Sequence, residues 1–297
     1  MDVILVTGRQ GQIAKALVES QGHLSFVVCN KSELDITNSE SITASLDRIK
    51  PQIVVNTAAY TTVDAAEDNA EHAFLVNSLG PNLLSEACAC RGIPLIHLST
   101  DYIFDGLATK PVDEKVLPSP LSIYGRTKLT GEEAVRSNLA EHIILRLSGV
   151  FSGHAPCFPR SILTAALKYR ELKVIDDQFT GPTSARAAAN ILGKMLSRMI
   201  IREGPPWGTY HFSQQPFVSW YQFAEYILER VQTFDSRFQN VKLNCVSAFD
   251  YSARASRPLN SCLDSSKLIE ELGLNWSLCN WSADVEEDLR RITKTLK

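Results

Sequence analysis

No apolar run in the chain approaches the roughly 20 residues needed to span a bilayer. A helical membrane protein is therefore excluded. No block of like charge stands out either: 30 Lys and Arg against 33 Asp and Glu leave a net charge of −3 over 297 residues. That is no electrostatic footprint for nucleic acid or an anionic membrane surface. The 6 histidines are scattered, and none has a partner four residues away, so a helix-borne zinc pair is missing. Cysteines number 7, an odd count at irregular spacing. The start, Met1-Asp2-Val3-Ile4-Leu5-Val6, is too short and too acidic for a signal peptide. A disulfide framework is thus not expected, and a reducing cytoplasm is. Cys88 and Cys90 lie two apart in a helical stretch with no neighbouring His or Cys to complete a tetrahedral set. There is no repeat and no low-complexity tract. What remains is an ordinary globular composition, 44% hydrophobic and 21% charged, sized for one large or two modest domains.

The first positive signal is at the start. Asp2 to Val6 is apolar and β-branched, and Thr7-Gly8-Arg9-Gln10-Gly11-Gln12-Ile13-Ala14 follows it. Helical periodicity then runs from about Gly11 to Ser20. Strand, glycine turn and helix in that order are the context of a dinucleotide fingerprint. The spacing is G-x-x-G-x-x-A. Gly8 permits the tight turn, Gly11 lets the backbone approach a pyrophosphate, and Ala14 lets helix and strand pack closely. The helix N-terminus then offers free N–H groups and a positive dipole end to the phosphates.

A second strand, Phe26 to Cys29, ends at Asn30-Lys31-Ser32. The acidic residue that commonly takes the ribose hydroxyls of NAD is missing here. A neutral Asn30 and a cationic Lys31 tolerate a 2′-phosphate. The reading therefore favours NADPH and leaves NADH open. Asp35 and Ile36 can flank an adenine. A third strand, Gln52 to Asn56, runs into the small residues Thr57, Ala58 and Ala59, then Tyr60 and Thr61, which leave room for the nicotinamide end. Residues 70–91 read as one long helix kinked at Gly80-Pro81. Its Asn77 faces either the cofactor or a structural hydrogen bond.

The chemistry centres on residues 99–128. An apolar fourth strand ends in Ser99-Thr100-Asp101-Tyr102-Ile103-Phe104-Asp105-Gly106. A helix from about 120 to 137 carries Tyr124 and Lys128. Four residues apart, these two share one helix face. A free phenol ionises near pH 10, and a cation held nearby lowers that value. Tyr124 is the candidate general acid, with Lys128 depressing its pKa and holding the cofactor ribose. Thr100, or Ser99, is the candidate donor to a carbonyl oxygen on which charge develops. With a fifth strand at His142 to Leu147, five strands alternate with helices in residues 1–150. The expected fold is α/β: a Rossmann-type, doubly wound parallel sheet. Residues 151–297 are expected to form a smaller, mostly helical substrate lobe, some segments of which return to the sheet.

These residues resemble the extended short-chain dehydrogenase/reductases, in the branch that reduces nucleotide-linked 4-keto sugars. The resemblance rests on Thr7-Gly8 through Gln12, on residues 56–61 with Val63-Asp64, on Ser99 through Gly106, and on Tyr124-Gly125-Arg126-Thr127-Lys128. It continues through Asp177-Gln178, Gly181-Pro182-Thr183, Gly208 to His211, and Arg257-Pro258 with Leu263-Asp264. It implies NAD(P)H-dependent reduction of the 4-keto group of dTDP-6-deoxy-L-lyxo-4-hexulose to dTDP-L-rhamnose. It places Gly8, Gln10, Gly11, Gln12 and Ile13 at the pyrophosphate, and Asn30, Lys31, Asp35 and Ile36 at the adenosine. Ala58, Ala59, Tyr60 and Thr61 then meet the middle of the cofactor, beside Tyr124 and Lys128. Val63, Thr100, Asp101, Tyr102 and Gln178 face the substrate, and the charge of Arg257 assigns it to the nucleotide part of the sugar donor. Partners are then confined to the dTDP-sugar, with a homodimer left open.

Two departures stand out. Gly149 occupies the position where the family often has a Trp that packs on the sugar. The glutamates that hold magnesium between subunits in some members are replaced by Ala16 and Arg186, so no metal is expected. Two other readings stay open: an NADP-binding regulatory subunit of the methionine adenosyltransferase type, and a reductase or epimerase of another nucleotide sugar.

Overall fold

The computed structural model describes residues 2–251 and 253–296. Its centre is a six-stranded, all-parallel sheet. Five strands come from the first half: β1 (Val3–Thr7), β2 (Ser25–Cys29), β3 (Ile53–Asn56), β4 (Leu95–Thr100) and β5 (His142–Leu147). The sixth, Gly208–Phe212, pairs in parallel beside β5. Across the sheet the order is sixth strand, β5, β4, β3, β1, β2. The order reverses at β1, and the carboxyl ends beside such a reversal form the ligand crevice of this architecture.

The strands alternate because both faces are covered. Ile4 and Val6 of β1, Ile53 and Val55 of β3, and Ile143, Leu145 and Leu147 of β5 pack on one side. There they meet α1 (Gln12–Ser20) and the helix Ala185–Ile200. Leu5, Val54, Leu95 and Ile144 point the other way, onto α2 (Ser39–Ile49), the helix Gly80–Ala89 and the helix Ile123–Asn138. This period-two division is the mark of a sheet buried on both faces. Helix Ala185–Ile200 and the sixth strand thus return to the sheet from beyond residue 150.

A second core lies outside the sheet. Phe151, Ile162, Leu163, Leu172 and Val174 meet Phe223, Ile227, Trp281, Leu289 and Ile292. Helices Phe158–Tyr169, Trp220–Gln232 and Ser282–Thr295 supply most of these residues. A two-stranded parallel ribbon, Glu171–Ile175 with Lys242–Val246, completes this lobe. Among the described residues no helix is long and apolar enough to cross a membrane. The seven cysteines are all free thiols.

Residues 70–91 differ from the single kinked helix expected. After α3 (Val63–Asp68) come α4 (Ala70–Phe74), a π-helical turn over Leu75–Leu79, and α5 (Gly80–Ala89). Pro81 has no N–H to continue the regular ladder, and the wider turn just before it accommodates that loss. The turn carries Asn77 into the interior. Its Oδ1 accepts from Tyr60 N at 2.8 Å, and its Nδ2 donates to Tyr60 O at 3.0 Å and to Thr127 Oγ1 at 3.2 Å. Of the two roles open for Asn77, the structure shows the structural one. It ties the loop after β3 to the helix Ile123–Asn138, called α6.

α6 approaches its neighbours without side chains between them at two places. A Cβ on Gly125 would overlap the Tyr102 carbonyl, and one on Gly131 would overlap the Asn77 carbonyl. The Ser122 hydroxyl caps the helix by accepting from Gly125 N at 3.1 Å. These contacts fix the height of α6, and so of Tyr124 and Lys128, against β4.

Candidate active site

The glycine turn after β1 shapes a cleft of about 520 Å³ at the sheet's switch point. Gly8 takes φ +75°, a conformation that a side chain would strain. No side chain caps the first N–H groups of α1. A cleft of this size, floored by glycine and facing uncapped helix N–H groups, fits a dinucleotide pyrophosphate. Of the residues expected there, Gly8, Gln10, Gly11, Asn30, Lys31, Asp35, Ile36, Ala58, Ala59 and Tyr60 line it.

Gln12, Ile13 and Thr61 do not. The Gln12 Oε1 accepts from Ser152 Oγ at 2.9 Å, across to the start of the lobe. Ile13 packs into the sheet core, and Thr61 is exposed. Arg9, Ser32, Thr37 and His72 line the cleft although the sequence reading left them out. Arg9 donates through Nε to Val28 O at 2.8 Å and pairs with Glu33 at 3.1 Å. It lies across the end of β2 beside Asn30, whose Oδ1 accepts from Ser32 N and Oγ at 2.9 and 2.7 Å. The signal for Arg9 was its place inside the glycine turn, which puts a cation in the cleft wall beside Asn30. Lys31 is well exposed and lies 3.9 Å from Asp35.

Tyr124 projects from the first turn of α6 into an apolar cluster with Ala66 and Ala73, against which Tyr60, Val63, Tyr102 and Ile123 pack. Tyr102 meets it edge-on, ring centroids 5.5 Å apart. Tyr60 lines the dinucleotide cleft. Tyr102 lines a second cavity of about 480 Å³, together with Gln178, Arg257, Phe158, Trp220 and Tyr251. Tyr124 lines neither cavity itself, but its cluster takes in one wall residue of each. Of the residues assigned to the substrate, Tyr102, Gln178 and Arg257 line the second cavity and Val63 packs in this cluster.

Thr100 and Asp101, expected to face the substrate, are both buried and line neither cavity. The Thr100 hydroxyl donates to Asp101 Oδ1 at 3.1 Å and accepts from Tyr102 N at 3.2 Å. Burial pushes the Asp101 carboxyl up to about 6, against hydrogen bonds from Ser261 and Thr100.

The electrostatics of Tyr124 differ from the expectation. Its phenol is raised rather than lowered: burial dominates, Asp101 adds to it, and a hydrogen bond with Thr100 opposes. Lys128 does not offset this, because its ammonium is turned away. Its Nζ donates to Leu98 O at 2.6 Å and lies 3.5 Å from His97 Nε2. Burial brings Lys128 itself down to about 8, while Glu132 one turn on pulls the other way. Glu132 accepts from the buried Arg146 at 2.7 Å and pairs with Arg136, and these cations hold its carboxyl low despite its burial.

A family model described as RmlD substrate binding domain matches residues 1–294. A dTDP-4-dehydrorhamnose reductase of Sinorhizobium fredii is 37% identical over 295 residues, covering 99% of this chain and 97% of that one. The chain belongs to the dTDP-4-dehydrorhamnose reductase family. Among solved structures, a Clostridium acetobutylicum dTDP-4-dehydrorhamnose reductase superimposes with a TM-score of 0.87 at 28% identity, covering 98% of this chain and 99% of that one. A Bacillus anthracis dTDP-4-dehydrorhamnose reductase in complex with NADP gives 0.87 at 26% identity, covering 99% and 100%.

Within this family's fold, Gly149 is a turn and not an opened wall. Its φ is +54°, and an added Cβ would lie 2.7 Å from Thr180 Oγ1 and 3.3 Å from Pro182 Cα. A Trp has no room here. The aromatic surface of the second cavity comes instead from the lobe, where Phe158 and Trp220 lie 4.5 Å apart. At the other departure, Ala16 is buried and Arg186 pairs with Glu287 and lies 3.8 Å from Asp284. Among the described residues no group of three His, Cys, Asp or Glu side chains is placed to hold a metal.

Proposed function

We propose that the chain is a cytoplasmic oxidoreductase that reduces the 4-keto group of dTDP-4-dehydrorhamnose to give dTDP-L-rhamnose, with NADPH as the preferred cofactor. The observation that carries this reading is the position of Tyr124, in the cluster shared by a dinucleotide cleft and an aromatic-walled cavity. Bound in the cleft, the dinucleotide supplies the hydride. Gly8, Gly11 and the α1 N-terminus bind its pyrophosphate, and Arg9, Asn30 and Lys31 face its ribose end. Tyr124 Oη gives its proton to the carbonyl oxygen as negative charge develops there. A phenol whose pKa is raised by burial is fully protonated at neutral pH, as a general acid for reduction needs to be. The Thr100 hydroxyl hydrogen-bonds the same oxygen. Lys128 holds the cofactor ribose and, once turned from Leu98 O, returns a proton to the phenolate, and Arg257, Gln178 and Tyr102 hold the sugar nucleotide.

Supplying dTDP-4-keto-6-deoxy-L-sugar with NADPH or NADH and following the loss of nicotinamide absorbance tests this. Oxidation of NADPH, with a rhamnosyl nucleotide as product, is the expected result. No oxidation of either cofactor, with tight NADP binding retained, would replace the enzyme by a regulatory, NADP-binding partner of the methionine adenosyltransferase type.

A further inference from the structure

A chain of buried polar groups runs from the glycine turn to Lys128, and the mechanism above uses only its last member. Thr7 Oγ1 donates to Asn56 Oδ1 at 2.7 Å. Ala58 N–H is shared between that same Oδ1 at 3.2 Å and Thr7 Oγ1 at 3.3 Å. Asn56 Nδ2 faces His97 Nδ1 at 3.1 Å, and His97 Nε2 faces Lys128 Nζ at 3.5 Å. Thr7, Asn56, His97 and Lys128 are all buried.

The protons of this chain can be assigned in order. A backbone N–H is always a donor, so the Asn56 atom facing Ala58 N is the oxygen. The Asn56 atom facing His97 is then the amide nitrogen, a donor. His97 Nδ1 must accept, and so carries no proton. A neutral imidazole has one N–H, which falls on Nε2. That N–H points at Lys128. When Lys128 is an ammonium, two donors face each other, and 3.5 Å is long for a hydrogen bond. When Lys128 is a neutral amine, its lone pair accepts the Nε2–H.

We propose that His97 is a positioning residue for Lys128: held by Asn56 in the Nε2–H form, it presents a donor that favours the amine over the ammonium. Lys128 is thereby made the readier proton donor: once Nζ turns from Leu98 O to the Tyr124 phenolate, one N–H bond breaks at Nζ, one O–H bond forms at Oη, and solvent then reprotonates the amine. This rests on Lys128 serving Tyr124 as proposed above. The other groups facing Lys128 are accounted for. Leu98 O, from β4, accepts from Nζ in either state. Glu132, on α6, favours the ammonium, but Arg146 from β5 and Arg136 engage its carboxylate. Burial disfavours a charge on His97, and Lys128 and Arg136 disfavour it further, holding its pKa well below the usual value.

Two measurements on the intact protein test this without substrate. Nitrogen-15 NMR of the His97 ring is expected to show Nε2 protonated and Nδ1 bare through the neutral range. The opposite tautomer, or an imidazolium, overturns the proposal. Carbon-13 titration of the Lys128 ε-carbon is compared between wild type, His97→Leu and His97→Gln. The Leu variant is expected to raise the midpoint by about one pH unit, and Gln, which keeps an N–H donor, to restore it. An unmoved midpoint in His97→Leu overturns the proposal. Should that variant fail to fold, Asn56→Asp provides the second arm. Its carboxylate accepts from Nδ1, turns Nε2 into an acceptor and raises the Lys128 midpoint; no rise overturns the proposal. If the tautomer and the shift are found while keto-sugar turnover is absent, the reduction reading and the proton return to Tyr124 fail, and the hold of His97 on Lys128 stands.

Discussion

At the scale of single residues, burial decides the chemistry. Tyr124 is kept protonated by its apolar surroundings, which is what the general-acid role proposed for it requires. Tyr124→Phe is expected to lower keto-sugar turnover by about 10²-fold or more and to leave NADPH affinity, read by fluorescence titration, unchanged. Equal turnover would assign the acid elsewhere. Lys128 gives a stability prediction with a definite sign. Its pKa falls from 10.5 in the unfolded chain to about 8 in the fold. The folded state therefore binds that proton less tightly. The contribution to stability is full above pH 10.5 and is lost as pH falls through about 8. Lys128→Met is thus expected to abolish turnover yet raise the thermal midpoint at pH 7. The gain is about 1–2 kcal/mol once the orphaned Leu98 carbonyl offsets part of it. It should shrink towards pH 10, and a gain equal at both pH values would point to packing alone.

At the scale of elements, α6 matters because it is close. Gly125 and Gly131 let its backbone touch the Tyr102 and Asn77 carbonyls. Gly125→Ala has no such room, since backbone and not a flexible side chain stands in the way. It is expected to cost about 2 kcal/mol or more in chemical denaturation and to lower turnover by displacing Tyr124, with the dinucleotide affinity least affected. The Tyr124–Lys128 pair was legible in sequence because a four-residue spacing is a local property of a helix. The glycine turn was legible because strand, turn and helix follow each other in the chain. The role of Gly125 was not, since it depends on a carbonyl 23 positions away in sequence brought near by folding. His97 was hidden for the same reason: inside an apolar strand it reads as one more core residue until Asn56 and Lys128 arrive from other elements. Gly149 reads as a missing Trp in one dimension and is a filled turn in three. The lobe's ribbon strand Lys242–Val246 lacked a sequence signal because none of its residues is fully buried and their exposure does not alternate.

At the scale of the whole molecule, the sheet domain and the lobe are tied together beside the second cavity. Arg257 holds Asp64 of α3 with both nitrogens, Nη1–Oδ1 at 3.1 Å and Nη2–Oδ2 at 2.7 Å. That pair lowers the Asp64 carboxyl, and Arg254 pairs with Asp68 one turn on. Arg257 also lines the cavity. It is therefore either a strut between two parts of the molecule or a grip on the anionic sugar nucleotide, and paired substitutions separate these. A partly exposed ion pair contributes little stability, about 0–1 kcal/mol, so neither Arg257→Gln nor Asp64→Asn should shift the thermal midpoint by much. As a strut, either change loosens the same contact, and both raise KM alike. As a grip, the two act in opposite directions. Arg257→Gln removes the cation and raises KM for the dTDP-sugar by about tenfold. Asp64→Asn frees the guanidinium from a competing carboxylate and holds or lowers KM. The grip is the expected outcome. Two bidentate demands on one guanidinium cannot be met at once, and a diphosphate is the stronger one, carrying more charge than a half-exposed Asp64. Matching increases of KM in both variants would make Arg257 a strut.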